Sequence, residues 1–192
     1  MEDALGMWVN AFVQAVVKLL IWTLPAVLLI RYFQKDMWLS LKEMFTTKVK
    51  WRPYIAMAAG FIVWSLFNGY RRFGRIGVHE DFEMVSLIGV VLVVGVTEEV
   101  VFRGWLLGAA LKKIPYWPAV LTNALLFVLI HVPRWIQTGQ FENLWIALGN
   151  CASIFALSVL FAWAFTKSKN LFVPIVLHMI WNLGVILFMS ST

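Results

Sequence analysis

The residues of this chain that could do chemistry are ionisable side chains set inside apolar runs. Two acids and a base, Glu98, Glu99 and Arg103, stand within one such run, and His131 and His178 stand in two later runs. An ionisable group at bilayer depth costs several kcal/mol unless it is paired or faces water. These five side chains are therefore candidates for a functional site.

Helical spacing predicts different roles for the two adjacent acids. Glu99 and Arg103 are four residues apart with the acid first, so they share a helix face and can form an internal ion pair. Glu98 points about 100° away on the helical wheel, where Arg103 cannot easily serve it as well. A poorly solvated carboxyl group beside an ion pair is a candidate for proton transfer.

The histidines have polar or aromatic companions at the same spacing. His131 follows Phe127 by four residues, and Asn182 follows His178 by four, so each pair shares a helix face. A lone histidine or asparagine in an apolar helix is more often an interhelical hydrogen-bonding group than a catalytic one, but two acids, two histidines and an amide together predict a site. Counting about 1.5 Å per residue from the helix ends puts Glu98 and His131 about 20 Å deep and His178 about 10 Å deep. His178 is thus the poorest fit.

Composition indicates that a bilayer surrounds these groups. Of 192 residues, 61% are hydrophobic and 14% are charged, and the mean hydropathy is +0.81, which is far from the average of soluble domains. The sequence predicts an all-α polytopic membrane protein, one domain over 1–192 with a motif-bearing core at about 84–189. A window of about nineteen residues predicts about six transmembrane helices, at 8–30, 53–70, 84–111, 117–136, 144–165 and 171–189.

Three polar features qualify these spans. Pro133 and Arg134 interrupt the span 117–136, which leaves open a shorter or re-entrant segment. Acids at the N-terminus, where a signal peptide is positive, indicate that the first span is retained. Lys18 is expected to be structural, because its long stem can snorkel and no acid matches it.

Lysine and arginine are distributed unequally between the two sides of the predicted bundle. One side carries ten, and the other carries Arg71, Arg72, Arg75 and Arg134. The excess predicts that the ten-cation side is cytoplasmic and that both termini lie outside. The location expected is a cell membrane, and the small size suits a bacterial plasma membrane. No nucleic-acid partner is expected, because the cations form no continuous stripe.

Three motifs in order resemble those of a known family, the glutamate-type intramembrane peptidases of the CAAX protease and bacteriocin-processing (CPBP, or Abi) family. The resemblance covers about half of the chain, from about 84 to 189, and the first two spans have no motif to compare. The motifs are Glu98-Glu99 with Arg103, Phe127 with His131, and His178 with Asn182.

The resemblance implies an endopeptidase that cuts a peptide or membrane-protein substrate without a cofactor. Glu98 with His131 would activate a water molecule, and His178 with Asn182 would hold the oxyanion that forms when the peptide carbonyl is attacked. The remaining motif residues would have supporting roles, Phe127 in packing and Glu99 with Arg103 as a brace.

Other chemistries fit the sequence less well. A Gly-x-Ser-Gly element is missing, the three aspartates fall outside the predicted spans, and His79-Glu80-Asp81-Phe82-Glu83 lacks the second histidine of a zinc protease motif. Glu98, His131 and His178 could in principle ligate zinc, but no pair of histidines four apart would anchor it, so no metal is expected.

Two non-peptidase functions stay open: a bacteriocin-immunity or scaffold protein of the same family, and a proton-coupled transporter.

Overall fold

The computed structural model describes residues 2–78 and 82–189, with side chains from residue 5 onward. The first three residues of the His79-Glu80-Asp81-Phe82-Glu83 segment lie outside these ranges. All regular structure within them is helical. The helices are α1 (2–32), α2 (Leu41–Thr46), α3 (Arg52–Phe73), α4 (87–113), α5 (Tyr116–Leu129), α6 (Val132–Gln137), α7 (Leu144–Ser168) and α8 (Phe172–Met189), with short 3-10 turns at Gln34–Asp36 and Gln140–Glu142.

Three of the long helices contain π-helical stretches. These stretches are Leu19–Thr23 in α1, Leu87–Val93 and Val100–Leu107 in α4, and Val185–Met189 in α8. Such segments change which carbonyl each N–H reaches and are frequent at functional sites. Glu98 and Glu99 lie in the α-helical stretch Val94–Glu99 between the two π-helical stretches of α4.

The chain is a membrane protein of all-α class, as the sequence predicts. Four helices in the described residues are long and apolar enough to cross a membrane: Leu5–Tyr32, Tyr116–Gln137, Leu144–Ser168 and Phe172–Met189. The other two predicted spans, 53–70 and 84–111, coincide with α3 and α4, which are more polar. Helix α4 carries Glu98, Glu99 and Arg103 in its interior.

Successive long helices alternate in direction. The amide of Asn182 in α8 meets Val90 near the start of α4, so these helices run antiparallel. The side chain of Arg72 reaches the carbonyl of Met189, so the ends of α3 and α8 coincide. The Thr23 hydroxyl donates to Thr97 and sets α1 beside α4 in the same direction. Both described ends of the chain therefore lie at one end of the bundle, and the ten cations lie at the other.

The connection between α1 and α3 folds against the ten-cation end of the bundle. Met37 and Met44 are buried in it, the Trp38 N–H donates to the carbonyl of Gly108 at 2.9 Å, and the Leu171 N–H donates to the carbonyl of Met44 at 2.7 Å. Helix α8 consequently begins beneath this connection and not at the surface of the bundle. Its first turn is fixed within the core.

Helix α2 is started by Ser40, whose hydroxyl accepts from the Glu43 N–H while the Glu43 carboxylate accepts from the Ser40 N–H. This reciprocal pair is a capping box. The hydrogen bonds from Ser40 lower the pKa of the Glu43 side chain, because they favour the charged carboxylate.

Pro133 explains a break in the predicted span 117–136. Proline has no N–H and its ring clashes with the carbonyl four residues earlier, and α5 ends at that residue, Leu129. The chain turns at 130–131 and resumes as α6 at Val132. The break positions His131 at a helix junction.

Candidate functional site

One side of α4 carries a dry cluster built on an ion pair, in which Oε2 of Glu99 and Nε of Arg103 have no hydrogen-bond partner among the described residues. The Nη1 of Arg103 donates to Oε1 of Glu99 at 3.0 Å, and both side chains are 0% exposed. The Nη2 of Arg103 donates to the carbonyl and hydroxyl oxygens of Ser158, at 3.1 and 2.8 Å. The guanidinium also lies 4.5 Å from the ring centre of Phe127 and 5.4 Å from that of Phe161. The ion pair that the helical spacing predicts is present and is braced from α5 and α7.

His178 joins this cluster to the second acid. Its Nδ1 lies 2.8 Å from Oε1 of Glu99, to which it donates, and its Nε2 lies 3.9 Å from Oε2 of Glu98. Its ring stacks on Phe161, with ring centres 5.0 Å apart and planes 20° apart. A buried imidazole therefore bridges two neighbouring carboxylates.

The depth expected for His178 from the sequence is wrong. Counting residues from the predicted cytoplasmic end of each helix gave His178 a different depth from Glu98. The structure instead puts His178 next to both acids. The reason lies at the start of α8, where Leu171 and Val173 are fully buried and the backbone of Leu171 bonds to Met44. Because α8 starts inside the bundle, every residue of it lies deeper than a surface start implies.

Glu98 differs from Glu99 in having access to open space. Its side chain is 17% exposed, although its Oε2 is buried and, like Oε2 of Glu99, has no hydrogen-bond partner among the described residues. The space it faces is a cavity of about 170 Å³ between α1, α4 and the end of α5, lined by Lys18, Trp22, Val94, Thr97, Glu98 and Ile130. The acid without an ion-pair partner on its own helix is thus the one that reaches a cavity.

The helix break fixes the orientation of the His131 ring. The His131 N–H donates to the carbonyl of Val128 at 3.0 Å, which leaves the carbonyl of Phe127 to accept from Nδ1 of His131 at 2.8 Å. This tautomer leaves Nε2 of His131 as an acceptor. In the described part of the chain His131 has no hydrogen bond or ion pair with Glu98, although its neighbour Ile130 lines the Glu98 cavity.

Asn182 lies one helical turn beyond His178 and is tied to α4. Its Nδ2 donates to the carbonyl of Val90 at 2.9 Å, within the π-helical stretch Leu87–Val93. One of its two amide protons is thereby used, and the second remains for another acceptor. The structure therefore gathers Glu98, Glu99 and His178 tightly, whereas His131 and Asn182 bond to the backbone carbonyls of Phe127 and Val90.

Sequence reasoning missed two contributors from α7. Ser158 and Phe161 hold Arg103 and His178, but a serine or phenylalanine in an apolar helix is too ordinary to single out. Lys18, for which a structural role is expected, is exposed and also lines the Glu98 cavity.

Two further polar side chains have structural partners. The Nδ2 of Asn123 donates to the carbonyl of Phe102 at 2.8 Å and ties α5 to α4, and the amide of Asn150 bonds to Gln140. Within residues 2–78 and 82–189, no three His, Cys, Asp or Glu side chains are grouped so as to hold a metal ion.

The site lies inside a recognised family region. The family model described as type II CAAX prenyl endopeptidase Rce1-like matches residues 80–184, more than half of the chain. The chain belongs to this family. The family resemblance drawn from the three motifs is therefore confirmed, and membership indicates a CAAX protease-type peptidase of the membrane.

The matched region runs from before α4 into α8 and contains all six predicted site residues, whereas α1 and α3 lie outside it. A search of curated proteins and a search of solved structures each gave no significant match.

Proposed function

We propose that this protein is an intramembrane endopeptidase that hydrolyses a peptide bond with a glutamate-activated water molecule. The observation that carries the proposal is the position of Glu98, an acidic side chain on a membrane helix that lines a cavity and whose Oε2 lies 3.9 Å from Nε2 of His178. The substrate class is a membrane-associated peptide or protein. Since the family description names prenyl endopeptidases, a prenylated peptide is the first probe.

Glu98 has the properties of a general base. A water molecule that enters the cavity meets the Glu98 side chain, whose Oε2 lies 3.9 Å from Nε2 of His178. The carboxylate takes a proton from this water as the water oxygen attacks the carbonyl carbon of the substrate. The proton then passes to the leaving amine as the C–N bond breaks, which gives a free carboxyl group and a free amine. His131, with Nδ1 held by Phe127, offers Nε2 as a second acceptor to the water.

His178 and Asn182 are the proposed donors to the oxyanion. In this role His178 donates Nδ1–H to Glu99 and presents Nε2–H toward the Glu98 side. Asn182 contributes the amide proton that Val90 does not take. Donors fixed in advance around the developing negative charge lower the barrier in a water-poor site.

The proposal is tested by removing the base and keeping its shape. Glu98→Gln is compared with wild type and with Glu142→Gln, an exposed acid in the Gln140–Glu142 turn. Membrane peptides from cells expressing each protein are compared by mass spectrometry, and cleavage of an S-farnesylcysteine peptide is measured in detergent. We expect Glu98→Gln to fold normally and to lose about 100- to 10,000-fold in cleavage rate, the usual contribution of a general base.

Two outcomes would count against this function. Cleavage by Glu98→Gln at a rate near wild type would remove the proposed mechanism. A cellular effect that survives Glu98→Gln, with no cleavage by wild type, would favour a binding or immunity role.

The proposed orientation places the ten-cation end of the bundle in the cytoplasm and both termini outside, by the positive-inside rule. Cys151 is the single cysteine, so a Cys151→Ser background allows new cysteines to be probed with a membrane-impermeant maleimide. In intact cells Ile76→Cys is expected to react and Lys42→Cys to be protected. Labelling of position 42 from outside would reverse the orientation.

A further inference from the structure

Arginines are concentrated at the end of the bundle that carries the fewest cations. Three of the four cations on that side, Arg71, Arg72 and Arg75, lie within five residues of one another around the end of α3. A side that carries few cations in total thus has most of them at one place. This arginine cluster lies before the family region at 80–184, so the proposed peptidase function does not account for it.

A cavity of about 270 Å³ lies between the ends of α3 and α8, and it is lined by Asn68, Arg71, Arg72 and Met189. The Nη1 of Arg72 donates to the carbonyl of Met189 at 3.1 Å and joins the two helix ends. The Nδ2 of Asn68 donates to the carbonyl of Trp64 at 2.8 Å and keeps a second proton for another acceptor. Three of the four lining side chains are therefore N–H donors.

Close packing of α3 on α8 fixes the shape of this cavity. Gly69 is buried beside it, and a Cβ at this position would lie 2.5 Å from the carbonyl oxygen of Phe188. About one turn deeper, a Cβ on Gly184 would overlap the side chain of Ser65. Small residues at these positions let the two helix backbones approach closely. The donors at the helix ends are therefore held in place before a ligand binds, which reduces the entropy lost on binding.

The cavity lies at the level expected for lipid headgroups. Helix α3 has 22 residues, Arg52–Phe73, and is therefore about 33 Å long, close to the thickness of about 30 Å of the hydrocarbon layer. Arg71 and Arg72 are in its last turn. Their guanidinium groups consequently stand at the boundary between the hydrocarbon and the headgroups.

An exposed apolar stripe runs from Arg71 along α3 into the membrane. Phe67, Trp64 and Val63 precede Arg71 by four, seven and eight residues, so the four side chains share one helix face. The three apolar side chains are 52%, 52% and 66% exposed. Arg71 is itself exposed, and its guanidinium carbon lies 5.9 Å from the ring centre of Phe67. A cationic site thus stands directly above an apolar surface.

We infer that the cavity binds the phosphate group of an anionic phospholipid, whose acyl chains lie along Phe67, Trp64 and Val63. Guanidinium groups match the oxygen atoms of a phosphate, and basic pockets between membrane helices suit anionic headgroups. A soluble phosphate ester would use the donors but not the apolar stripe, which favours a lipid. Because Met189 lines the cavity, the bound lipid connects the end of α8 to α3 and stabilises the folded protein.

The test measures lipid binding by the full chain in detergent. Native mass spectrometry gives Kd for palmitoyl-oleoyl phosphatidylglycerol and for the corresponding phosphatidylcholine. The proteins are wild type, Arg71→Gln, Phe67→Ala and Arg134→Gln, a matched control that removes an exposed arginine outside the cavity. Melting temperature is measured without ligand, with phosphatidylglycerol and with glycerophosphoglycerol, which is the same headgroup without acyl chains.

We expect wild type and Arg134→Gln to bind phosphatidylglycerol more tightly than phosphatidylcholine. Arg71→Gln should lose about 10- to 100-fold in affinity for phosphatidylglycerol, the usual effect of a hydrogen bond to a charged group. Phe67→Ala should lose about tenfold, because an apolar contact with an acyl chain is removed. The melting temperatures of both variants without ligand should stay near that of wild type, and phosphatidylglycerol but not glycerophosphoglycerol should raise that of wild type.

Two results would overturn the inference. Equal Kd values for Arg71→Gln and Arg134→Gln would show that lipid binding follows net charge and not the cavity. An equal rise in melting temperature with glycerophosphoglycerol would show a site for soluble phosphate esters. Neither measurement uses cleavage, so the outcome is independent of the proposed peptidase function.

Discussion

The adjacent acids Glu98 and Glu99 have different surroundings on the two sides of α4. On the dry side, Glu99 is fully buried and accepts hydrogen bonds from Arg103 and His178 at 3.0 and 2.8 Å. On the cavity side, the side chain of Glu98 is 17% exposed and lines the open space. A buried carboxylate that accepts from two side chains at one oxygen is held in place, whereas its neighbour Glu98 borders the cavity. A rotation of about 100° around one helix thus separates an acid with a structural role from the proposed general base.

The largest effect, a loss of stability, is expected from Arg103→Gln, which breaks the ion pair on the dry side of α4. The change strands the charge of Glu99 in a dry place, and breaking a buried ion pair costs about 3–5 kcal/mol. Detergent-extracted yield and melting temperature are the measurements, with exposed Arg134→Gln as the control. The double variant Glu99→Gln with Arg103→Gln is expected to recover part of the loss, because no charge is stranded. An Arg103→Gln protein as stable as the control would show that the dry side is not structural.

The next effect, on turnover and not on folding, is expected from Asn182→Ala. Loss of one oxyanion donor typically lowers turnover about 100- to 1000-fold, and the freed carbonyl of Val90 costs only about 1 kcal/mol of stability. Steady-state kcat and KM on the farnesylated peptide are measured beside Asn150→Ala, whose amide bonds to Gln140 away from the site. If KM rises while kcat is unchanged, Asn182 is a binding or packing residue.

The same comparison shows which relations between residues could be predicted from the sequence. Relations along one helix were predictable: the Glu99–Arg103 pair follows from a four-residue spacing, and the polar groups follow from their cost in an apolar run. Relations between helices were not. The depth of His178 depends on α8 starting beneath the segment that contains Met44, and the place of Lys18 depends on how α1 packs on α4.

The smallest effect is expected from Ser158→Ala, which tests whether the two sides are independent. The Nη2 of Arg103 loses the hydroxyl of Ser158 but keeps its carbonyl, so the guanidinium remains partnered and the cost is about 1 kcal/mol, that of an ordinary net hydrogen bond. Because this bond lies on the dry side and reaches Glu98 only through Glu99 and His178, cleavage per folded molecule should change less than about twofold, within about 0.4 kcal/mol. Melting temperature and kcat/KM are measured beside Ser153→Ala, an exposed serine on the same helix. A tenfold loss of kcat/KM at unchanged melting temperature would mean that the dry cluster takes part in the chemistry, because a purely structural brace changes stability before it changes rate.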